Sequence, residues 1–476
     1  MLIVLAAGCG SATTTGAGAA SVVPAGVPVY IAIDSDPDSS QWRTMNALAD
    51  QFPDKQKAVD ALERSLRNEA GLDFERDVKP ALGPEIDVVW LDFDHGGNDV
   101  VALMQPNDEA AFQRAVAQGN AKDPSDQLLY EKVGDWEVMS ERRAAIDTFK
   151  RMADPNGPML ADDPAFSRAM DEYSDDALVK AYVSGAAVMD KLRSSIPADA
   201  RDLVDKLGTL DWIAGSIRTT ADGVRLDTTV RGVPGSLLRS AGSNAGSSFE
   251  PALPNLIPDD ALAYFAFHGT AGMLSGIRDN PALAGPDLEP VREILRKIGT
   301  LMEGEDALYV RPGTDRLPEV TLVTEPSPGY DPAIVLDGIL ADAHFASHVE
   351  RTTIDGHEAR VIPLGGDVRI LYADVGGNLV VTDLPAGISG FASGGPALAQ
   401  SDRYSDAVTA SGAPKKVEEL FYVDVRGGVD LAKRLSSAPI PDEVKRNLGP
   451  LRSAVQYAAS RPSEVQLTFF VRISRQ

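Results

Sequence analysis

Short runs of alternating apolar and polar residues predict strands along most of this chain, and segments with helical spacing separate them. Within 59–74, Val59, Leu62 and Leu66 recur every three or four residues, which places them on one helix face. The segment 289–302 has the same spacing. Pairs of alternating strands are interrupted by DHGGN at 94–98 and PGTD at 312–315, which are turn compositions. The pattern predicts a mixed fold of strand pairs and helices.

The chain also repeats itself. The stretch around Tyr182 recurs around Tyr422, 240 residues later, and GVRLDTTVR at 223–231 recurs as EVQLTFFVR at 464–472. Tyr30 has its counterpart in Tyr264, 234 residues later. A nearly constant offset of this kind is the signature of an internal duplication.

Each half reads as β-α-β-β-α-β followed by β-α-β-β. We therefore predict an α+β fold made by tandem duplication, with antiparallel sheets, helices on one face and split βαββαβ-like units. The predicted repeats cover residues 25–232 and 255–476, joined by a Gly-, Ser- and Pro-rich linker at 233–254. An extra strand pair is expected in the second half, around 355–383.

Cys9, the single cysteine, lies at the end of the sequence LAAGC, after a short apolar run. This sequence resembles the bacterial lipobox, in which the cysteine thiol receives diacylglycerol and becomes the new N-terminus. We interpret residues 1–9 as the end of a signal peptide with a translation start further upstream, and residues 10–24 as a flexible tether. A buried or incidental thiol is the alternative. Lipidation predicts an extracytoplasmic protein attached to the cell membrane.

Composition narrows the class of partner. The formal net charge of −25 disfavours nucleic acid, whose phosphates would be repelled. Hydrophobic residues at 43% and charged residues at 24% are values of a globular chain. No apolar run approaches the roughly 20 residues that a membrane-spanning helix needs.

The segments 130–141 (YEKVGDWEVMSE) and 160–185 (LADDPAFSRAMDEYSDDALVKAYVSG), with the tyrosine strands, resemble the bacterial DUF3352 family. The resemblance covers most of the chain after the tether. It implies an extracytoplasmic location and an α+β fold, and it transfers no active site, because the shared motifs are structural.

Two acidic segments carry oxygen ligands of the kind that bind cations. Asp34, Asp36 and Asp38 have the spacing of the first ligands in a calcium loop, but Ser39 and Met45 stand where glycine and glutamate are required. Capping of the following helix is the favoured interpretation.

The second acidic segment groups Asp92, Asp94, His95, Asn98 and Asp99 around two glycines. The corresponding turn of the second half has no such group, so we interpret it as a polar hairpin tip.

The strongest metal candidate is the pair His344 and His348, which would share one helix face, with Asp342, Glu350 or His357 as further ligands. The signal is weak, because two histidines at helical spacing are common and the first half has no counterpart. No nucleophile or nucleotide-binding motif occurs. The recurring tyrosines are interpreted as core residues.

We therefore predict no catalytic residue, metal or cofactor, and lipidation of Cys9 as the single modified site. The predicted function is that of a lipid-anchored, non-enzymatic envelope binding protein, with its ligand expected between the two repeats. The alternatives are a metal-dependent hydrolase that uses His344 and His348, and a structural scaffold lipoprotein.

Overall fold

The computed structural model describes residues 18–94, 97–154, 156–197, 209–232, 248–271, 274, 289–313, 317–342, 349–365, 368–436, 440–461 and 463–474. The chain forms two compact units, divided between Leu238 and Arg239. Helices and antiparallel strands occur in both units, so the predicted α+β class is confirmed.

In the described part of the first unit, eight strands form one antiparallel sheet. They are β1 (Val29–Asp34), β2 (Glu85–Trp90), β3 (Val100–Met104), β4 (Leu129–Val133), β5 (Trp136–Ser140), β6 (Val179–Ser184), β7 (Leu210–Thr220) and β8 (Gly223–Gly232). Their spatial order is β4-β5-β3-β2-β1-β6-β7-β8. The strand β1 therefore lies inside the sheet, between β2 and β6.

Helices connect these strands. They are α1 (Ser40–Ala49), α2 (Lys55–Glu69), α3 (Glu109–Lys122), α4 (Arg143–Met152), α5 (Pro164–Asp171) and α6 (Gly185–Ser195), with helical turns at Ala19–Ser21, Phe74–Val78, Lys79–Ala81 and Leu160–Asp162. Polar side chains fix where they begin: Ser39, Asp108 and Asp163 accept backbone N–H groups from the first turns of α1, α3 and α5.

Helical elements cover both faces of this sheet, where the sequence analysis expected one. Alternation along β3 sends Val101 and Leu103 to a core that includes Phe149 of α4 and Phe166 of α5. We call this side, with Tyr30, the aromatic face. Ala102, which lies between Val101 and Leu103, points to the opposite side.

On that opposite side, which we call the cavity face, Met104 packs in a smaller core with Phe112 of α3 and Ala81. Both faces are apolar because the strands carry apolar residues at consecutive positions.

The second unit has the same sheet with two strands added. Its strands are β9 (Ala263–His268), β10 (Glu305–Arg311), β11 (Glu319–Thr324), β12 (Glu350–Ile354), β13 (His357–Gly365), β14 (Val368–Val375), β15 (Asn378–Thr382), β16 (Glu419–Asp424), β17 (Leu451–Arg461) and β18 (Glu464–Ile473). Their order is β12-β13-β14-β15-β11-β10-β9-β16-β17-β18. From β14 onward this order matches the first unit strand for strand, and the hairpin β12-β13 is the extra pair.

The helices of the second unit are α7 (Glu289–Leu301), α8 (Pro332–Asp342), α9 (Pro385–Ala392), α10 (Asp402–Ser411), α11 (Val425–Leu435) and α12 (Asp442–Leu448), with helical turns at Leu253–Asn255 and Leu398–Gln400. The main core gathers α9 and α10 over the sheet. A second core packs α7 and α8 against β14 and β15.

The duplication is visible in the packing of three rings. Tyr30 and Tyr182 are neighbours on β1 and β6, and Phe166 of α5 meets both edge to face, at centroid distances of 5.3 and 5.2 Å. In the second unit, Tyr404 of α10 meets Tyr264 and Tyr422 in the same way, at 6.0 and 5.1 Å. All of these rings are buried, which confirms the interpretation of the recurring tyrosines as core residues.

Each unit begins earlier than predicted. The last residues assigned to the tether form the turn Ala19–Ser21, in which Ala19 is fully buried, and Val23 is fully buried after it. The assigned linker likewise ends in the turn Leu253–Asn255, with Leu253 fully buried. The predicted limits 10–24 and 233–254 are therefore too long at their C-terminal ends, because small and turn-forming residues at these positions pack into the core.

A buried carboxyl group holds the second of these turns in place. Glu305 accepts the N–H groups of Ala252 and Leu253 at 2.6 and 3.1 Å, and the Tyr264 hydroxyl donates to it at 2.9 Å. In the first unit the Tyr30 hydroxyl donates to Asp87 at 2.5 Å. Burial raises the pKa of Glu305 and, strongly, that of Asp87.

Candidate functional site

A cavity of about 590 Å³ lies on the cavity face of the first unit. Its floor is formed by β1, β2, β3 and β5, and α1 and the segment 74–82 contribute its sides. The lining residues are Ile31, Ile33, Asp34, Ser35, Pro37, Trp42, Phe74, Leu82, Ile86, Val88, Trp90, Gly97, Asn98, Val100, Ala102, Leu128, Met139, Ser140, Glu141 and Arg142. A volume of this size is typical of sites that hold a small molecule.

The apolar floor follows from strand register. Ile31 lies beside Val88, and Val88 lies beside Ala102, so these side chains project from one face as a continuous surface. Ile31, Val88 and Ala102 are all partly exposed, whereas Val89 and Val101 on the opposite face are fully buried. The sheet therefore leaves apolar surface uncovered on this side.

Two tryptophans border the floor. The Trp42 indole N–H donates to the backbone oxygen of Asp34 at 2.7 Å, which fixes the ring of this α1 residue beside the end of β1. Trp90 stands at the end of β2, four residues after Ile86. At strand spacing this separates the two ends of the floor by roughly 13 Å.

Polar groups are found at the two ends of the cavity. At the Trp42 end, the Asp34 carboxylate accepts the backbone N–H of Asp36 at 3.0 Å. Burial raises the pKa of Asp34 to about 6, and the nearby carboxylates of Asp36 and Asp176 add to this rise.

At the Trp90 end, the Ser140 hydroxyl donates to the backbone oxygen of Val100 at 2.8 Å. The guanidinium of Arg142 forms an ion pair with the buried Asp99 at 3.0 Å. The arrangement is an apolar centre with a polar group at each end, which suits binding of an elongated, mostly apolar molecule.

The corresponding surface of the second unit carries larger side chains. Strand register places Phe265 where the first unit has Ile31, and Leu308 where it has Val88. Leu322 corresponds to Ala102 in the same way. The two repeats therefore share the aromatic face and differ on the other.

The first acidic segment acts locally. The Asp38 N–H donates to the Asp36 carboxylate at 2.9 Å, and the Ser39 hydroxyl accepts the N–H of Trp42 at 3.2 Å at the start of α1. The capping interpretation is confirmed. Asp34, at the head of this segment, also lines the cavity, which its spacing in the sequence does not indicate.

The second acidic segment connects β2 to β3. Asp92 accepts the N–H of Asp94 at 2.8 Å, Asp94 forms an ion pair with Lys191 at 3.1 Å, and Asp99 pairs with Arg142. His95 lies outside the described residues. The Gly97 N–H donates to the backbone oxygen of Asp94 at 2.9 Å, and Gly97 has a φ of 75°, which favours glycine.

The histidine candidates His344 and His348 also lie outside the described residues, as does Cys9. Of the further ligands named with them, Asp342 forms an ion pair with Lys297 at 2.5 Å, and His357 faces Ile354 at the tip of the β12-β13 hairpin. Within the described ranges, no three His, Cys, Asp or Glu side chains are grouped as a metal site. No helix in those ranges is both long and apolar enough to cross a membrane.

Comparison with known proteins gives distant structural matches. No family model matches the chain, and no curated protein matches it in sequence. The structures titled "Structure of crystal form III of TP0453" and "Structure of crystal form IV of TP0453" are 14% and 15% identical, each with a TM-score of 0.25. They cover 45% and 47% of this chain and 78% of the matched chain in both cases. A TM-score this low supports no inference about fold or function.

Proposed function

We propose that this chain is a lipid-anchored extracytoplasmic binding protein that holds an apolar or amphipathic ligand in the cavity of its first unit. The observation that carries the proposal is the cavity itself, with its apolar floor on β1, β2, β3 and β5. Its position inside one unit differs from the site between the repeats expected from the sequence.

The physical argument rests on the uncovered apolar surface. Each Å² of apolar surface removed from water contributes about 25 cal/mol. Ile31, Val88 and Trp90 are partly exposed to water in the described structure. A ligand that covered them would gain this free energy, and the existing cavity requires no rearrangement of the strands.

The anchor is the second part of the proposal. Lipidation of Cys9 would hold the protein at a membrane, where apolar ligands are concentrated, and the partner is then an envelope component. The net charge of −25 supports a ligand other than nucleic acid. The resemblance to the DUF3352 family stays a prediction.

Binding is tested by titrating the full chain with Nile red, an uncharged dye whose emission shifts in apolar surroundings. Ala102→Phe fills the centre of the cavity floor, and we expect it to weaken dye binding at least about tenfold, because the added ring occupies the ligand volume. Ala181→Phe is the matched control: Ala181 lies beside Ile31 on the same sheet face and does not line the cavity. Equal dye affinity in wild type and Ala102→Phe would contradict the proposed site.

The anchor is tested by treating producing cells with globomycin, which blocks cleavage of lipoprotein precursors. We expect the precursor to accumulate, and Cys9→Ser to release the protein from the membrane fraction. Normal processing under globomycin, with the protein outside the membrane fraction, would contradict lipidation.

A further inference from the structure

The charges at the ends of the cavity restrict which ligand it can hold. This inference rests on the proposed function and concerns the polar end of the ligand. At the Trp42 end, the charged groups that act on the Asp34 carboxyl are the carboxylates of Asp36 and Asp176. The Asp176 carboxylate also accepts hydrogen bonds from Ser40 and Gln41, at 2.5 and 3.3 Å.

At the Trp90 end, Arg142 is the one basic residue among the lining residues that the structure describes. Its guanidinium is already paired with Asp99, which is 6% exposed and lies in the segment that connects β2 to β3. An anionic group at this end would compete with a buried carboxylate for the same cation. An anionic group at the other end would lie beside Asp34, where like charges repel.

We infer that the cavity selects a neutral amphiphile, a linear apolar chain that ends in a hydroxyl group. A hydroxyl can donate to the Asp34 carboxylate and adds no charge to the apolar cavity. A cationic end group would gain attraction to Asp34, but it would lose its hydration against the indole of Trp42 and the side chain of Ile33. The floor length of roughly 13 Å suits an alkyl chain of medium length.

The test compares three probes that share a decyl chain: n-decanol, decyl sulfonate and decylammonium. Each displaces Nile red from the full chain at about pH 8, where Asp34, with a pKa of about 6, is ionised. We expect decanol to bind at least about tenfold more tightly than decyl sulfonate, because a charge repulsion at short range in a partly buried site is worth that much. We also expect decanol to bind more tightly than decylammonium, because the ammonium group would lose its hydration at the apolar wall of the cavity.

Two further measurements assign the selectivity to Asp34. Asp34→Asn removes the charge and keeps the shape, and we expect it to bring the affinities for decanol and decyl sulfonate within about threefold of each other. The control Asp175→Asn changes a side chain that is 96% exposed and leaves the ratio unchanged. In the wild type, lowering the pH to about 5 protonates Asp34 and narrows the same ratio, since the sulfonate itself stays ionised.

The outcomes separate the two proposals. Sulfonate binding as tight as decanol, or decylammonium binding that is tighter than both, overturns the inference on charge while Nile red binding still supports the cavity. A preserved decanol preference in Asp34→Asn at every pH overturns the role of Asp34. If neither Nile red nor any decyl probe binds, the proposed function itself fails.

Discussion

Asp306→Asn should stabilise the second unit, and by an amount that grows with pH. Asp306 lies at the start of β10 and is fully buried. The Thr270 hydroxyl donates to its Oδ2 at 2.9 Å, and among the described residues its Oδ1 has no hydrogen-bond partner. Burial raises the pKa of Asp306 from 3.8 to about 7, with smaller contributions from the carboxylates of Glu325 and Glu305.

The magnitude follows from this change in pKa. Each pKa unit corresponds to about 1.4 kcal/mol, so a rise from 3.8 to about 7 is worth about 4 kcal/mol. Because the folded pKa is the higher one, the folded state holds the proton more tightly than the unfolded chain. The contribution of Asp306 to the free energy of unfolding is fully present below about pH 4. It falls as the pH rises to about 7 and is lost above that pH.

Asparagine removes the charge and keeps an oxygen for the Thr270 hydroxyl. Relative to wild type, we expect no change in the free energy of unfolding at about pH 4 and a gain approaching about 4 kcal/mol at about pH 8. Glu319, whose pKa burial also raises to about 7, keeps part of the pH dependence in the variant.

Urea denaturation followed by far-ultraviolet circular dichroism between these two pH values measures the effect. Intrinsic fluorescence reports the first unit separately, since all four tryptophans belong to it. Asp430→Asn is the control, because this side chain is 62% exposed and its ion pair with Lys433 contributes little. A gain of the same size at pH 4 and pH 8, or a loss at pH 8, would refute the assignment of the effect to the Asp306 charge.

Two other predictions concern packing. Phe166→Ala removes the ring that contacts both Tyr30 and Tyr182, and we expect the free energy of unfolding to fall by about 3 to 5 kcal/mol. Urea unfolding followed by tryptophan fluorescence measures this change. A fall of less than about 1 kcal/mol would contradict a tightly packed ring contact. Gly185→Ala should lower the free energy of unfolding by about 2 kcal/mol, because the new Cβ would lie 2.1 Å from the Leu210 carbonyl oxygen. Gly428→Ala is the contrasting variant, because Gly428 of α11 has open space around it. We expect it to raise the free energy of unfolding by about 0.5 to 1 kcal/mol, and thermal unfolding measures both effects. Equal effects at the two glycines would contradict the close approach at Gly185.

The duplicated core was predictable from the sequence because it depends on side chains that recur at fixed positions. Tyr30, Tyr182, Tyr264 and Tyr422 mark the same two adjacent strands in each unit. The third ring of each core is not predictable from the repeat, because Phe166 and Tyr404 differ in residue type and lie on helices outside the repeated strands.

The start of each unit was less predictable. Composition around Ala19 and Leu253 is rich in small and turn-forming residues, which is also typical of linkers. What distinguishes these turns is burial and the carboxyl groups beneath them, such as Glu305 below Leu253. Both depend on contacts between residues far apart in the chain.

The strands that form the cavity floor have a recognisable sequence pattern. The segments 29–33 and 100–104 are apolar at every position. An antiparallel strand with one face in water alternates apolar and polar residues, so an unbroken apolar strand indicates that both faces are covered. Which part of the second face stays uncovered as a cavity depends on how α1 and the segment 74–82 pack, and no local pattern specifies that.

Successive side chains of β1 lie on opposite faces of the sheet and have different surroundings. Tyr30 and Ala32 pack in the core of the aromatic face, whereas the alternate residues Ile31 and Ile33 line the cavity. The second unit has Phe265 at the position of Ile31 and keeps its ring cluster, so exchanges on the cavity face leave the aromatic face intact.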